Sequence, residues 1–460
     1  MIPRSLAIAM LLTAAAPALG ADLRALIADA PPGSTLRVPA GVHPGPIVID
    51  KPLTLIAEPG AIIDAGGAGD AVRITAPDVT LRGFIIRNTG DSLDRENAAI
   101  NATKAPHAVI TNNVLINVLF GIYLRECPGS VVRDNTIGGK TLDLARRGDG
   151  VRLWQSDDCL IESNTIHDGR DAVMWFSDRT RILRNTVIRG RYGLHFMYSD
   201  DNVLEDNDLS HNSVGAFLMY SKNLTLRRNR FVDNRGPSGF GVGLKDVDGL
   251  IAEDNLFAAN RVGVQLDNSP SSVDIRHLFR RNVFAYNDQG VALMPNIERN
   301  DFTDNAFIDN AEQVAILGGG VLRDDRFTVD GRGNYWSNYA GFDRDRDGVG
   351  DLPYRAESLF ESLLARDSRL RLFLYSPVQQ AVEAAARLAP MVRPKPKFID
   401  QAPLMDPPHL PETVLARTTA GRGSFTAGAG LLAVGLAILS AMIRLPERRR
   451  RTTRARSAPA

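Results

Sequence analysis

Asparagines recur through the middle of the 460-residue chain at a nearly constant interval, and this period constrains the fold more than any other feature. Most steps are 21–23 residues long, and the longer steps of 26, 27 and 29 contain insertions such as 139–148 and 235–241. Self-similarity at a fixed period of this size indicates a solenoid in which each repeat forms one coil. The series consists of Asn113, Asn135, Asn164, Asn185, Asn207, Asn229, Asn255, Asn282 and Asn305.

Each repeat carries short β-branched runs at alternating spacing rather than a helical stripe. A coil of about 22 residues, extended at about 3.3 Å per residue, is long enough for three short faces. Successive coils would pair their backbones about 4.8 Å apart, and the asparagines would stack into a ladder at one turn. We therefore predict an all-β protein, a right-handed parallel β-helix over 22–354, with a helical cap formed by 21–30.

Both ends of the chain carry apolar segments outside the repeat. Residues 1–21 combine Arg4, an apolar run and small residues before the end, which is typical of a secretory signal peptide. Residues 425–443 hold no charge and would span about 28 Å as a helix, close to the roughly 30 Å hydrocarbon thickness of a bilayer. Residues 444–460 contain seven arginines, so the positive-inside rule predicts a cytoplasmic tail, a transmembrane helix and an exported repeat domain.

The formal charge of +1, with basic residues concentrated only at the C-terminus, provides no electrostatic basis for nucleic-acid binding. The two cysteines, Cys127 and Cys159, lie 32 residues apart at different positions of successive coils. A disulfide and a pair of inert buried thiols both remain open.

One external face of the β-helix is predicted to be apolar. A glycine or small residue opens a strand in most coils, and the second and fourth residues after it should point outward because strand side chains alternate. Adjacent coils then place aromatic, methionine and histidine side chains about 4.8 Å apart on one surface. The predicted members are Met174, Phe176, His195, Met197, Phe217 and Met219.

Such a patch needs a cover or a ligand. A loop such as 139–148 could lie over it, a partner protein could dock on it, or it could bind copper, since thioethers suit Cu(I) and imidazole suits either copper state. The sequence alone leaves these three alternatives open.

A separate acidic loop follows the repeats. Residues 343–348 have the D-x-D-x-D-G spacing of a calcium loop, although Tyr354 stands where a bidentate glutamate is expected. The alternative is a turn whose aspartates are held by Arg344 and Arg346. The predicted calcium ligands are Asp343, Asp345, Asp347 and Asp351.

Several segments distributed over about 22–400 resemble the NosD family of nitrous oxide reductase maturation proteins. They are HFMYSDDN (195–202), FLMYSKNL (217–224), SGFGVGLKDVDG (238–249), GVQLDNSP (263–270), GNYWSNYAGFDRDRDGVGDLPYR (333–355) and RLRLFLYSPVQQAVE (369–383). The resemblance implies a non-catalytic periplasmic protein that works with the permease and ATPase of an ABC transporter. Its further implied partners are nitrous oxide reductase and a copper donor protein, with copper, alone or together with sulfur, delivered to the catalytic cluster of the reductase.

Residues 355–388 are helical in pattern, with a break at Ser376-Pro377, and the Pro-rich residues 389–420 resemble an extended linker to the anchor. Because this stalk lies between the repeats and the membrane, we predict that its excess apolar side chains contact the permease. These are Leu359, Phe360, Leu363, Leu370, Phe373 and Leu374.

A polysaccharide lyase, hydrolase or epimerase on the same scaffold is the alternative. Such an enzyme needs carboxylates, or a carboxylate and a base, converging on an outer groove. Asx turns explain the candidate aspartates equally well, and a flat apolar face suits a protein partner better than a sugar. The candidates are His195, Asp200, Asp201, Lys245, Asp246 and Asp248.

Overall fold

The computed structural model describes residues 22–374, 376–389, 391 and 393–412. The chain winds as a right-handed parallel β-helix, which confirms the predicted fold class. Each full coil adds one strand to each of three sheets, and neighbouring strands pair in parallel about one period apart.

Sheet 1 contains twelve strands, in order Thr35–Val38, Thr54–Ala57, Thr80–Arg82, Val109–Thr111, Val131–Arg133, Leu160–Glu162, Arg181–Leu183, Val203–Glu205, Thr225–Arg227, Ile251–Glu253, His277–Arg280 and Asn300–Thr303. Sheet 2 contains Gly41–Pro44, Ala61–Asp64, Ile85–Arg87, Val114–Val118, Thr136–Gly139, Thr165–His167 and Thr186–Ile188, and continues as Arg230–Val232, Leu256–Ala258, Val283–Ala285, Ala306–Ile308 and Tyr335–Trp336. Sheet 3 contains twelve strands, in order Ile47–Ile49, Val72–Ile74, Ala98–Thr103, Phe120–Arg125, Val151–Trp154, Asp171–Trp175, Tyr192–Met197, Val214–Met219, Phe240–Lys245, Val262–Asp267, Gln289–Leu293 and Glu312–Ile316.

The predicted asparagine ladder is confirmed, and it continues to Asn334. In the middle of the ladder, the side-chain amide of Asn207 donates to the Asn229 side-chain oxygen at 2.9 Å and to the Ile182 carbonyl at 2.8 Å. The Asn207 backbone N–H also donates to Asn229, at 3.0 Å. Each buried amide therefore depends on its neighbours along the ladder for hydrogen bonds.

The interior between the sheets is apolar and contains stacked rings in the later coils. One column runs from Phe231 through Phe257, Phe284 and Phe307, with ring centroids 4.9–5.0 Å apart, and ends on Trp336 at 4.4 Å. Offset stacking of this kind adds to the free energy gained by burying the rings. The same residue therefore recurs in successive coils because each ring packs on the next.

The two cysteines are free and buried. Burial raises the pKa of the Cys159 thiol to about 12 and also raises that of Cys127. Thiols that hold their protons so firmly are poor nucleophiles and metal ligands, so the structure agrees with the inert alternative.

Helix α1 (Leu23–Asp29) closes the first coil, as predicted. The Asp22 side chain accepts a hydrogen bond from the Arg24 backbone N–H at 3.1 Å, which caps the helix. Leu23 and Ile27 are buried in the common core. The helix therefore covers the open apolar end of the solenoid.

After the repeats, α2 (Leu359–Arg366), a 3₁₀ segment (Ser368–Phe373) and α3 (Pro377–Leu388) follow. Ser376 caps α3 ahead of Pro377, at the predicted break. The chain then returns to the β-helix, because strand Ile399–Asp400 pairs antiparallel with Tyr354–Arg355. This part of 389–420 is consequently packed rather than the extended linker that its composition suggested.

Asp400 closes the C-terminal end of the asparagine ladder. Its carboxylate accepts from the Asn334 backbone N–H at 2.7 Å and from the Trp336 indole N–H at 2.9 Å. The last members of the ladder and of the ring column are thus hydrogen-bonded by a residue more than sixty positions away in sequence.

Among the described residues, no helix is long and apolar enough to cross a membrane. The predicted signal peptide (1–21), transmembrane helix (425–443) and arginine-rich tail (444–460) lie outside the described residues. These three assignments stay predictions.

Candidate functional site

The outer face of sheet 3 carries two neighbouring outward rows, which the strand register defines. One row contains Arg152, Val173, His195, Phe217 and Gly243 in successive coils. The second row contains Trp154, Trp175, Met197, Met219 and Lys245. Four of the six predicted surface residues, which are His195, Met197, Phe217 and Met219, therefore occupy the predicted outward positions.

The outward assignment of Met174 is wrong. Met174 is fully buried and pairs with the inward-facing residues Leu153 and Phe196. The error arose because Ala172 was aligned with the glycine that opens each strand, whereas Ala172 pairs with Val151, the residue after that glycine. A one-residue slip exchanges the two faces of a strand, so the Met174 thioether cannot reach a surface ligand.

Phe176 is exposed, but it lies in the turn after the strand rather than on the sheet face. Its backbone φ is 51°, and its ring stacks on Tyr198 at 5.2 Å between centroids. Tyr198 in turn stacks on Tyr220 at 5.0 Å. Sequence reasoning assigned Phe176 to the wrong row because the same slip was applied to the whole strand.

The repeated Met-Tyr-Ser triplet, 197–199 and 219–221, now has a structural explanation. Met197 pairs with Met219 on the sheet face, and the two tyrosines stack at the turn. The Ser199 backbone N–H donates to the buried Ser221 hydroxyl at 3.1 Å. Each of the three residues therefore contacts its counterpart one coil away.

His195 faces outward but is only 7% exposed, because neighbouring rings enclose it. Trp175 and Tyr192 make edge-on contacts at centroid distances of 5.6 and 5.1 Å. The imidazole Nδ1 has no direct hydrogen-bond partner and lies 3.4 Å from the Asp171 carboxylate. This arrangement directs Nδ1 toward Asp171 and leaves Nε2 as the nitrogen for an external ligand.

Asp171 is buried beside His195. It accepts a hydrogen bond from Arg191 Nε at 3.0 Å and another from the Tyr192 backbone N–H at 3.2 Å. Burial alone would raise the pKa of Asp171, but the nearby His195 imidazole, together with the hydrogen bonds and positive charge of Arg191, holds that pKa below its usual value. A carboxylate that is charged at neutral pH therefore lies behind the imidazole.

A second buried ion cluster lies one coil earlier and was missed in the sequence. Asp149 accepts from Arg152 Nε at 2.8 Å and from Arg170 Nε at 3.2 Å, and Arg152 also pairs with Glu96 at 2.6 Å. Burial raises the pKa of Asp149 despite these two arginines. The sequence pattern identifies outward sites only after each glycine, so it does not indicate a role for Asp149, which precedes Gly150.

Phe217 and the two exposed methionines complete the face. The Phe217 ring lies against Gly243, where any Cβ would collide with the ring. Tyr192 and Phe240 flank that ring at centroid distances of 5.4 and 6.4 Å. Met197 and Met219 are half-buried, so their thioethers have apolar neighbours and some exposure to solvent.

The 139–148 insertion covers only one end of this face. Leu142 packs on a cluster formed by Phe120, Tyr123 and Leu119, which Trp154 also joins. The loop alternative is therefore correct for the upstream coils, where aromatic side chains are enclosed. Downstream, at Met197 and Met219, the side chains keep partial exposure.

In the acidic loop, Asp343, Asp345 and Asp347 bring ligand atoms within 4.8 Å of one another. Asp343 also accepts from the backbone N–H of Arg346 at 2.6 Å and of Gly348 at 2.9 Å. Asp351 accepts from the backbone N–H of Arg344 at 2.9 Å. These hydrogen bonds from backbone amides agree with the alternative that the aspartates stabilise a turn. Calcium binding stays a prediction.

The predicted permease contact needs one correction. Phe360 is buried, because α2 packs on the end of the β-helix, so it cannot meet a partner. Lys397 fixes α2 there by pairing with Glu312 at 2.6 Å and with Glu361 at 3.0 Å. The other predicted residues, Leu359, Leu363, Leu370, Phe373 and Leu374, are half-buried or exposed. Sequence reasoning missed the most exposed apolar side chains, Leu372, Leu388 and Met391, at 86, 88 and 91%.

The carboxylates proposed for an enzyme are engaged in turns. Asp200 accepts from the Lys222 backbone N–H at 2.7 Å, and Asp201 from the Asn223 side chain at 3.0 Å. Asp248 is buried and accepts from Ser271 and Ser272. Asp246 accepts from the side chain of Asn268, and Lys245 lies over the Tyr220 ring. His195 approaches Asp171 rather than Asp200 or Asp201, so the predicted enzyme constellation does not form.

Comparison with known proteins adds independent information. A family model named NosD, described as a periplasmic copper-binding protein, matches residues 134–341. A relative from Pseudomonas aeruginosa, described as probable ABC transporter binding protein NosD, is 33% identical over 381 residues, covering 80% of this chain and 87% of the relative. A relative of the same description from Stutzerimonas stutzeri is 28% identical over 385 residues, 81% of this chain and 87% of its own.

Among solved structures, the A-module of the Azotobacter vinelandii mannuronan C-5 epimerase AlgE4 has a similar fold. The TM-score is 0.50 at 14% identity, over 69% of this chain and 96% of that one. A similarity at this level of identity concerns the β-helix architecture alone, because unrelated activities share such scaffolds.

Proposed function

Because this chain belongs to the NosD family, we propose that it is a periplasmic accessory protein for the maturation of nitrous oxide reductase. In this role it acts with an ABC transporter in assembling the catalytic copper-containing cluster of the reductase, and it performs no catalysis itself. Copper is then cargo, received on or passed across the outer face of sheet 3.

The observation that carries the copper assignment is the outward set His195, Met197 and Met219, hereafter the copper strip. All three lie within the residues that match the family described as copper-binding. An imidazole with two thioethers is a soft donor set that suits Cu(I). The strip therefore fits a transient site, with Met174 excluded because it is buried.

The residues around the strip have distinct roles in this proposal. Asp171 orients the imidazole through Nδ1, as carboxylates commonly do for metal-binding histidines. Trp175 and Phe217 flank the strip and exclude water from one side of the thioethers. Exclusion of water favours a soft, weakly hydrated cation over hard competitors.

A copper titration tests the proposal. We expect the double variant Met197→Leu, Met219→Leu to weaken Cu(I) binding at least tenfold in competition with a chromophoric chelator. Leucine conserves the volume of methionine but removes the sulfur, so the fold should be unaffected. The reductase isolated from a strain carrying this variant should contain less copper.

Met294→Leu is the matched control, since Met294 is an exposed methionine beyond the end of another strand of sheet 3. That variant should bind Cu(I) as the unmodified protein does. Wild-type affinity in the double variant, together with normal copper content in the reductase, would refute the copper strip.

We also propose that the helical stalk contacts the permease and that 425–443 anchors the chain in the inner membrane. The stalk contact is supported by an accumulation of exposed apolar side chains in this segment, among them Leu372, Phe373 and Leu388, because such an accumulation favours a partner. Replacing Leu372 and Leu388 with glutamate should abolish co-purification with the permease. Unchanged co-purification, in a chain truncated before 425, would contradict the stalk contact.

A further inference from the structure

Beside the copper strip, the turn that follows each sheet 3 strand contains residues that its backbone geometry does not favour. The residue at this turn has a φ of 48–53° in five successive coils. Polar residues such as Gln155 and Asp246 tolerate this left-handed conformation, whereas bulky side chains adopt it rarely. Three consecutive coils nevertheless place rings there, which are Phe176, Tyr198 and Tyr220.

These rings form a continuous exposed stack. Phe176 and Tyr198 are 42 and 47% exposed, and the interplanar angles along the stack are 9° and 14°. Phe176 and Tyr198, with the neighbouring Asp157 and Asp178, line a surface cavity of about 420 Å³. These rings are exposed although their residues adopt an unfavourable backbone conformation. This combination indicates that the rings contact a binding partner.

Two carboxylates, Asp178 and Asp200, lie two residues after Phe176 and Tyr198, whereas Lys222 occupies the same position after Tyr220. One oxygen of Asp178 accepts from the Asp200 backbone N–H at 2.8 Å, and one oxygen of Asp200 accepts from that of Lys222 at 2.7 Å. In the described part of the chain, the second oxygen of each carboxylate has no hydrogen-bond partner. Burial, with the like charges of Asp178 and Asp201, raises the pKa of Asp200.

The protein itself shows how a cation would sit on this surface. Lys245 places its ammonium 6.0 Å from the centroid of the Tyr220 ring, at one end of the stack. Over Phe176 and Tyr198, by contrast, the described residues supply no cation. Aromatic faces attract cations electrostatically, and flanking carboxylates strengthen that attraction.

We propose that the ring stack Phe176–Tyr198–Tyr220, with Asp178 and Asp200 beside it, is a docking surface for an extended lysine- or arginine-bearing segment of a partner protein. Charge complementarity favours this occupant over an oligosaccharide, whose hydroxyls would hydrogen-bond the carboxylates but carry no positive charge. The surface adjoins the copper strip, yet its binding requires no copper, so the two assignments fail independently.

The test measures binding of fluorescein-labelled hexalysine to the full-length protein at low ionic strength. Asp178→Asn retains an oxygen to accept from the Asp200 N–H but removes the charge. The double variant Phe176→Gln, Tyr198→Gln introduces the residue that Gln155 already provides at the same turn. Each variant should weaken hexalysine binding about two- to fivefold or more, the effect of an ion pair or a cation–π contact.

Asp274→Asn, at an exposed aspartate in a different loop, is the matched control and should bind hexalysine normally. Equal affinity in all variants would overturn the proposal, since the peptide would then respond only to overall charge. Maltohexaose binding that is lost in the glutamine variant, with hexalysine unaffected, would assign the rings to a glycan instead. If the glutamine variant melts at a lower temperature, the Asp178→Asn result decides alone.

Discussion

The interior of this β-helix and the outer face of sheet 3 share one period, yet the interior repeats its residue types over many coils. The outer face repeats a residue type over two coils at most in the row Trp154, Trp175, Met197, Met219 and Lys245. The ladder position is asparagine in ten coils from Asn113 to Asn334. An outward row of sheet 3 changes from Arg152 to His195 to Gly243. Inside the β-helix, each repeated side chain packs on or hydrogen-bonds to the same residue type in the next coil, and this contact constrains the residue type. Outside, no such contact is required, so a residue type that changes from coil to coil is a candidate for a functional role.

The largest predicted effect is a loss of stability on changing a residue of the interior ladder. Asn207→Ala removes a side chain that donates to Asn229 and Ile182 and accepts twice from Asn185. Each buried group left without a partner costs about 1–3 kcal/mol, so the free energy of unfolding should fall by several kcal/mol. Urea denaturation followed by far-UV circular dichroism measures this loss.

Asn101→Ala is the control, since Asn101 faces outward from sheet 3 and is only half-buried. It should cost much less, within about 1 kcal/mol. Equal losses in the two variants would show that ladder and surface positions are equivalent, contrary to the comparison.

The asparagine period predicted the fold because the ladder requires the same residue in every coil. The site was less predictable, since it depends on which residue of each coil begins the strand. Starting each strand at its glycine places His195, Met197, Phe217 and Met219 correctly. It misplaces Met174, because the strand of Met174 has Asp171 where the strands of these four residues have a glycine. Asp400 lacked any sequence signal, because a single residue from a distant segment carries no periodicity.

A smaller effect concerns an interior position where the repeat changes residue type. His277 is buried and accepts from the Leu250 N–H through Nδ1 at 3.0 Å, at a register that Asn202 occupies in another coil. Burial lowers the pKa of His277 to about 3, against the opposing charge of Asp248. The unfolded chain therefore binds more protons than the folded one between pH 6.5 and about 3.

Stability from His277 is consequently complete above pH 6.5 and is lost as the pH falls. Between pH 7 and pH 5 the loss should be about 2 kcal/mol from this group alone. His277→Asn keeps an acceptor for Leu250 without a titrating group, so its stability should change less over that range. Identical pH profiles for His277→Asn and the unmodified chain would contradict the assignment.

The smallest predicted effects on stability concern the outer face of sheet 3, where a side chain that points outward is not always exposed to solvent. Met197→Leu and Met219→Leu should change the free energy of unfolding by less than about 0.5 kcal/mol, because both side chains are half-exposed. His195→Ala should cost more, about 1–2 kcal/mol, since it removes the imidazole that lies 3.4 Å from the buried Asp171 carboxylate and opens space between Trp175 and Tyr192. Thermal melting of the three variants measures this order. If His195→Ala proved as harmless as the methionine changes, the imidazole would be a free surface group, and its enclosure by Asp171 and the two rings could not be what orients it toward a ligand.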